Sequence, residues 1–194
     1  MSSWIYQFHY EVKHANPAWF MPVVGNINVP IVGVKIAPIE LSWFFFSVGI
    51  VFWLILLTIV LNRLFFYEPL PPRLMPTLFI LLASPSVGFI AWVSLAGKLD
   101  AFAHILYYTA LFFALLLTKN AIRFLRNQFF VSAWAYSFPL AAFTIATLQM
   151  AKFSELAIFI WLGNGLLYFA SVVVTALTIR TLVALWHREI CLPE

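Results

Sequence analysis

Residues 44–61 of the chain read FFFSVGIVFWLILLTIVL, a stretch that contains no charged side chain and is apolar on every face. A helix needs about 20 such residues to cross the ~30 Å hydrocarbon core of a bilayer. A membrane β-barrel does not fit, because its strands are shorter and alternate apolar with polar side chains. The stretch therefore predicts an all-α transmembrane fold.

Similar runs fill the rest of the 194 residues, of which 64% are hydrophobic and 9% are charged. Soluble domains carry roughly 25% charged residues, so a water-soluble fold is excluded. The runs predict a single transmembrane domain over 1–194 with six spans, at about 17–37, 41–64, 76–97, 101–122, 130–151 and 155–187. The lone cysteine, Cys191, has no intrachain partner for a disulfide.

Basic residues are distributed unequally between the two sides of these spans. Eight fall on one side: Lys13, Arg63, Arg73, Lys119, Arg123, Arg126, Arg180 and Arg188. Three fall on the other: Lys35, Lys98 and Lys152. The positive-inside rule predicts that both termini are cytoplasmic in a multi-pass protein of the cell (plasma or inner) membrane. Because the basic residues are dispersed at helix ends, no nucleic-acid partner is predicted.

The odd-numbered spans share a repeat that the even-numbered spans lack. Each carries a proline thirteen residues before a lysine, which gives the pairs Pro22 and Lys35, Pro85 and Lys98, and Pro139 and Lys152. Three residues after each proline is a small residue, in turn Gly25, Gly88 and Ala142. An acid follows each lysine, in turn Glu40, Asp100 and Glu155, and is expected to open the next helix, where it complements the helix dipole.

A proline inside a helix removes a backbone hydrogen bond and bends the helix. In lipid the freed carbonyl must face protein or a water-filled cavity, so the proline-bearing helices are expected to lie inside and the unbroken ones outside. The repeat thus predicts three helical hairpins, each a kinked inner helix followed by a straight outer helix, packed around a lined passage. The alternative is that the prolines serve packing alone.

Three strings on the proline-bearing spans carry a family resemblance: NPAWFMPVVGN at 16–26, ASPSVGFIAW at 83–92 and SAWAYSFP at 132–139. They resemble the family that contains bacterial tellurite-resistance and dicarboxylate transporters and the slow-type anion channels of plant guard cells. The resemblance implies a pore fold of ten helices in five hairpins, assembled as a homotrimer with one pore in each subunit. This chain is similar to the last six helices only, so it is expected to be either a fragment or one part of a wall that another polypeptide completes.

The resemblance also implies site residues. Phe138, beside Pro139, matches a phenylalanine that occludes the pore; the alternative is that its ring only fills a core. The expected pore-lining residues are those at or near the three prolines, namely Pro22, Gly25, Ser84, Pro85, Gly88, Ser137, Pro139 and Ala142. Lys35, Lys98 and Lys152 are expected at the outer mouth, where they either attract anions or only anchor the helices at the interface.

Between the prolines and the lysines the inner spans contain no Asp, Glu, His or Arg. This argues against a proton relay within the membrane. Hydroxyl, amide and backbone groups solvate an anion weakly, so a pore of this kind favours anions that shed water easily. The predicted function is a channel for small inorganic or carboxylate anions; the alternatives are a carrier or efflux protein for dicarboxylate or tellurite, and a non-conducting fragment or subunit. No metal-ligand spacing, catalytic pair or phosphate-binding loop is present, so neither a cofactor nor an enzyme is predicted.

Overall fold

The computed structural model describes residues 11–119 and 130–187 of the chain. All regular structure in these ranges is helical. The α-helices are α1 (Met21–Ile36), α2 (Ile39–Phe66), α3 (Ile80–Ala96), α4 (Ala101–Lys119), α5 (Ser137–Ser154) and α6 (Ala157–Trp186). Predictions that concern Arg123, Arg126, Arg188, Cys191 and the end of the fourth span at 120–122 lie outside the described residues.

Six helical segments of the described chain are long and apolar enough to cross a membrane, as the sequence predicts. At 1.5 Å per residue, α2 and α6 reach roughly 40–45 Å, which exceeds the ~30 Å hydrocarbon core. Helices of that length accommodate a bilayer by tilting or by extending into the headgroup region. Together the six segments make a multi-pass membrane protein.

The odd-numbered spans all begin as 3₁₀-helix and then change to α-helix. The 3₁₀ segments are Pro17–Phe20 before α1, Pro72–Phe79 before α3 and Val131–Tyr136 before α5. The even-numbered helices α2, α4 and α6 have no such segment at their start among the described residues. A change of helix type therefore distinguishes the same three spans that carry the repeat.

Two of the three repeat prolines lie just after the change from 3₁₀-helix to α-helix, and the third lies deeper in its α-helix. Pro22 is the second residue of α1 and Pro139 is the third of α5, whereas Pro85 lies well inside α3. The α-helices α1 and α5 continue directly from a 3₁₀ segment whose carbonyls accept from the first α-helical N–H groups, as Ala18 does from Met21 and Trp134 does from Ser137. Pro22 and Pro139 therefore lie just after a change of helix type inside a continuous helical span. The repeat did not include Pro30, which lies inside α1 and removes the donor for the carbonyl of Asn26.

Short turns join the consecutive helices α1 to α2, α3 to α4 and α5 to α6, and each pair is in extensive contact. Gly97 ends α3 in the left-handed conformation with φ 67°, and Asp100 then opens α4, where its Oδ1 accepts from the backbone N–H of Ala103 at 3.0 Å. Glu40 lies in the first turn of α2, as expected. Glu155 differs, because it adopts a left-handed φ of 55° as the C-cap of α5 instead of entering α6.

Burial is greatest in the middle of the molecule. In the most apolar window of the span Pro72–Ala96, 72% of residues are buried, against 17% for Ala157–Trp186. Helix α3 contacts α1 on one side and α5 on the other, and it also packs on α4. The three proline-bearing helices therefore lie side by side, with α3 between its two counterparts.

Three glycines of the described chain allow close approach between neighbouring helices: Gly33, where a Cβ would lie 2.6 Å from Oγ of Ser42 in α2, and Gly49 and Gly163. A Cβ placed on Gly49 of α2 would lie 2.5 Å from Cγ1 of Ile27 in α1, and one on Gly163 of α6 would lie 2.6 Å from Cδ2 of Leu148 in α5. These distances are far below ordinary carbon contacts of about 3.5–4.0 Å. Only hydrogen atoms fit at these crossings, as is common where small residues bring membrane helices together.

Candidate functional site

A cavity of about 560 Å³ lies where the proline-bearing helices begin. Its wall includes the first residues of α1 and α3 and the second residue of α5, so all three helices present their N-terminal ends to it. The lining residues are Met21, Val24, Gly25, Asn28, Thr77, Ile80, Ala83, Ser132, Trp134, Ala135, Phe138 and Pro139. None of them is ionisable.

The sequence-predicted gate residue, Phe138, is part of this wall, and its side chain is 48% exposed. Met21 holds the same place before Pro22 that Phe138 holds before Pro139; it also lines the cavity and is 59% exposed. Ser84, at the same place before Pro85, is fully buried. Two of the three repeats therefore direct a large side chain to the cavity from the position before the proline.

The predicted pore-lining residues separate into three groups. Gly25 and Pro139 line the cavity. Four others are buried within the helix packing: Ser84, Pro85, Gly88 and Ala142. A Cβ on Gly88 would point toward Leu106 of α4 and Ile50 of α2. Pro22 is exposed outside the lining, and Ser137 borders a second cavity of about 490 Å³ between α5 and α6.

The 3₁₀ segments supply three of the four polar side chains of the wall, and Asn28 of α1 is the fourth. The hydroxyl of Thr77 donates to the carbonyl of Leu74 at 2.6 Å, within its own segment. The hydroxyl of Ser132 donates to the carbonyl of Arg73 at 2.6 Å and joins the segments before α5 and α3. The rings of Phe79 and Tyr136 add an edge-to-face contact between the same two segments, with centroids 4.7 Å apart.

Trp134 ties the segment before α5 to the outer helix α6. Its indole Nε1–H donates to Oγ1 of Thr181 at 3.0 Å, and the Thr181 hydroxyl donates in turn to the carbonyl of Leu177. Trp134 also forms part of the cavity wall. The backbone that leads into Phe138 is therefore held to two other parts of the protein, the segment before α3 and α6.

The three repeat lysines lie at the opposite ends of the same helices. Lys35 and Lys152 are in the last turns of α1 and α5, Lys98 follows the end of α3, and all three are exposed. A cation at this end complements the negative end of a helix dipole. Cavity and lysines are thus separated by the length of the three helices.

Beside Lys98, Asp100 forms a polar junction between α3 and α4. Its Oδ1 accepts from Ala103 N–H and, at 2.8 Å, from the indole Nε1–H of Trp92. The hydrogen bond from Ala103 lowers the pKa of the Asp100 carboxyl below its usual value against the opposing effect of desolvation, and the Trp92 hydrogen bond and the charge of Lys98 lower the pKa further. The carboxylate therefore stays ionised at this end of the helices.

Sequence reasoning named neither Trp134, Ser132 nor Thr77 as a site residue. Ser132 and Trp134 lie in the string at 132–139 that carries the family resemblance, and this was the available signal. Thr77 had none, because one threonine among apolar residues is not distinctive. Its place in the cavity follows from the path of the 3₁₀ segment Pro72–Phe79.

Comparison with known proteins gives consistent matches over most of the chain. A family model for a voltage-dependent anion channel, SLAC1, matches residues 1–182. The S-type anion channel SLAH3 of Arabidopsis thaliana is 33% identical over 169 residues, which cover 87% of this chain and 27% of that protein. The guard cell S-type anion channel SLAC1 of the same plant is 31% identical over 140 residues, covering 72% and 25%.

An archaeal protein is also similar. An uncharacterised transporter of Methanocaldococcus jannaschii is 26% identical over 178 residues, which cover 80% of this chain and 51% of that protein. The chain therefore spans about a quarter of the length of these plant relatives and about half of the archaeal one.

Proposed function

Because the chain belongs to the SLAC1 family of voltage-dependent anion channels, we propose that it forms part of a membrane passage for small anions that is closed by Phe138. The passage runs along α1, α3 and α5, from the cavity at their N-terminal ends to the lysines at their C-terminal ends. One observation carries the proposal: a single cavity is lined by the start of all three proline-bearing helices and by the ring of Phe138.

The fold we propose for this passage is three hairpins, α1 with α2, α3 with α4 and α5 with α6, as part of a ring of five. In each hairpin a proline-bearing helix lies inside and an unbroken helix lies outside. The short turns, the extensive contacts within each pair and the low burial of α6 support this arrangement. Further hairpins complete the wall, and the complete assembly is a homotrimer.

The electrostatics of the cavity favour an anion without holding it tightly. No ionisable side chain lines the wall, so no counter-charge traps the ion. The dipoles of the three helices point their positive ends toward the cavity side, and the lysines offset the negative ends at the other side. Such a passage favours inorganic or carboxylate anions that shed water easily.

The orientation we propose places the cavity at the cytoplasmic side of a cell membrane, with both termini in the cytoplasm. Arg63 lies in the last turn of α2, and Arg73 lies in the 3₁₀ segment at the cavity end of α3. Lys119, in the last turn of α4, lies on the same side. The surplus of positive charge at this side is the support for the orientation.

Reconstitution of the protein in liposomes tests the gate. Phe138→Ala removes the ring from the cavity, and we expect it to increase anion current per folded molecule because a dry constriction becomes wettable. Phe169→Ala is the matched control, since Phe169 is 54% exposed on α6 and does not line the cavity. Because the Phe138 ring is half-exposed, its removal should cost less stability than the ~3–5 kcal/mol of a fully buried phenylalanine.

Current and folded yield must be measured on the same samples. Higher unitary current with comparable yield for Phe138→Ala, and no change for Phe169→Ala, supports the gate. If Phe138→Ala lowers only the yield, its ring is a packing element. If neither variant passes anions, the chain is a non-conducting component and the proposal of a passage is wrong.

A carrier is the second candidate function, because the archaeal relative is named as a transporter. A carrier or efflux protein for dicarboxylate or tellurite would use the same three helices with closure around its substrate. Flux that saturates with substrate and lacks discrete unitary currents identifies a carrier, whereas stepwise currents identify a channel.

A further inference from the structure

Most side-chain donors in the cavity wall are already used by the protein. The hydroxyls of Thr77 and Ser132 and the indole of Trp134 each carry one proton, and each donates it to an acceptor within the chain. A bound anion needs donors and has none to offer in return. These three side chains therefore have no proton left with which to bind it.

Asn28 is the exception. It lies in the second turn of α1, is half-buried and forms part of the cavity wall. Its amide has two N–H donors, and within the described part of the chain its side chain makes no hydrogen bond. Asn26, two residues earlier, differs, because its Nδ2 donates to the carbonyl of Pro22 at 2.8 Å.

We infer that the Asn28 amide donates a hydrogen bond to the anion in this cavity and thereby determines which anions pass. The inference rests on the proposed function and assigns the polar contact of the same passage. The positions six residues after the other repeat prolines are Ala91 and Ile145, which have no side-chain donor. Among these three helices, recognition at this level therefore comes from α1 alone.

A single amide donor selects by acceptor strength. Chloride concentrates its charge on one atom and accepts hydrogen bonds strongly, whereas thiocyanate spreads its charge and accepts weakly. An apolar wall alone favours thiocyanate, because this anion sheds water more easily. The Asn28 donor offsets part of that preference, so its removal should shift selectivity away from chloride.

The test compares three substitutions in channels opened by Phe138→Ala, using chloride and thiocyanate on opposite sides of a bilayer. Asn28→Leu keeps the number and branching of the side-chain heavy atoms and removes the donors; we expect it to lower the chloride-to-thiocyanate permeability ratio roughly tenfold, the scale of one hydrogen bond to a charged group. Asn28→Gln keeps the donors and should restore part of the ratio. Asn26→Leu is the control and should leave the ratio unchanged.

Equal permeability ratios for Asn28→Leu and Asn26→Leu, with anion flux intact, overturn the inference while the proposed passage stands. Absence of flux in the Phe138→Ala parent overturns the passage itself, and the inference with it. A second measurement avoids substitution effects on folding: in the unsubstituted protein, chloride should shift the side-chain amide NMR signals of Asn28 and leave those of Asn26 in place. Unmoved Asn28 signals at saturating chloride would contradict the inference.

Discussion

Replacing Gly49 with alanine should force α1 and α2 apart. The added Cβ would lie 2.5 Å from Cγ1 and 3.1 Å from the backbone nitrogen of Ile27. Cγ1 belongs to a β-branched side chain that is fully buried and has little freedom to rotate, and the nitrogen moves only with α1. Restoring an ordinary carbon contact requires a local separation of about 1 Å. Overpacking of this kind costs about 1–3 kcal/mol.

The measurement needs a control that shares the change in helix propensity. Alanine is favoured over glycine in a helix by about 1 kcal/mol at either position. Gly165 of α6 has no atom within 4 Å of a built Cβ, so Gly165→Ala takes the propensity gain without a clash. The difference in unfolding free energy between the two variants therefore isolates the clash. We expect Gly49→Ala to be less stable than Gly165→Ala by about 1–3 kcal/mol.

Equilibrium unfolding of both variants in mixed micelles, followed by helical circular dichroism, gives this difference. Equal stabilities would refute the close crossing of α1 and α2. Because α1 brings Gly25 and Asn28 to the cavity, a shift of that helix should also change anion flux in Gly49→Ala channels. Gly165→Ala should leave the flux as it is.

Two further predictions concern contacts at the two ends of the passage. The indole hydrogen bond is lost in Trp134→Phe and equally in Thr181→Val, because each variant removes one of its two partners. Each should destabilise the segment before Phe138 by about 0.5–1.5 kcal/mol and raise anion leak. The double variant should leak no more than either single variant, and additive effects would contradict the coupling. At the other end, the pKa of Asp100 is lower in the native state than its usual value of about 3.9. Its carboxylate therefore stabilises the fold fully above that usual pKa. This contribution is lost as the pH falls through the lower native pKa. Asp100→Ala should therefore be less stable than the parent at neutral pH, with the gap narrowing in acid; a gap that is constant with pH would assign the loss to something other than the carboxylate charge.

The number of spans was predictable from the sequence because a bilayer imposes one length and one polarity on every helix that crosses it. The change from 3₁₀ to α-helix within the odd spans was not. In Pro72–Phe79, Pro72 and Pro76 remove backbone donors, and the segment also carries Arg73. This segment is also in contact with Val131–Tyr136, and sequence periodicity does not contain that contact.

The candidate site was predictable only in part, because equivalent positions of a repeat do not have equivalent surroundings. Met21 and Phe138 precede their prolines on helices at the two sides of the row, and both reach the cavity. Ser84 precedes its proline on α3, which has α1 and α5 as neighbours and α4 packed on it, so its side chain is buried. The repeat gives the position of a residue along its helix, whereas the neighbouring helices decide which way it faces.

The cavity differs from a tight anion-binding site because its wall has no charged side chain. A charged side chain in the wall would attract an anion strongly and also slow its release, whereas conduction requires both entry and departure to be easy. Here the cavity wall has no ionisable group, and three of its four polar side chains donate their protons to the protein itself. The remaining donor is the Asn28 amide, and the three repeat lysines lie exposed at the far ends of the helices. Asn28→Asp places a carboxylate at this single point. We therefore expect it to reduce anion current more than Asn28→Leu does, because repulsion is added to the loss of the donor. Currents of equal size in the two variants would mean that the ion does not pass this side chain.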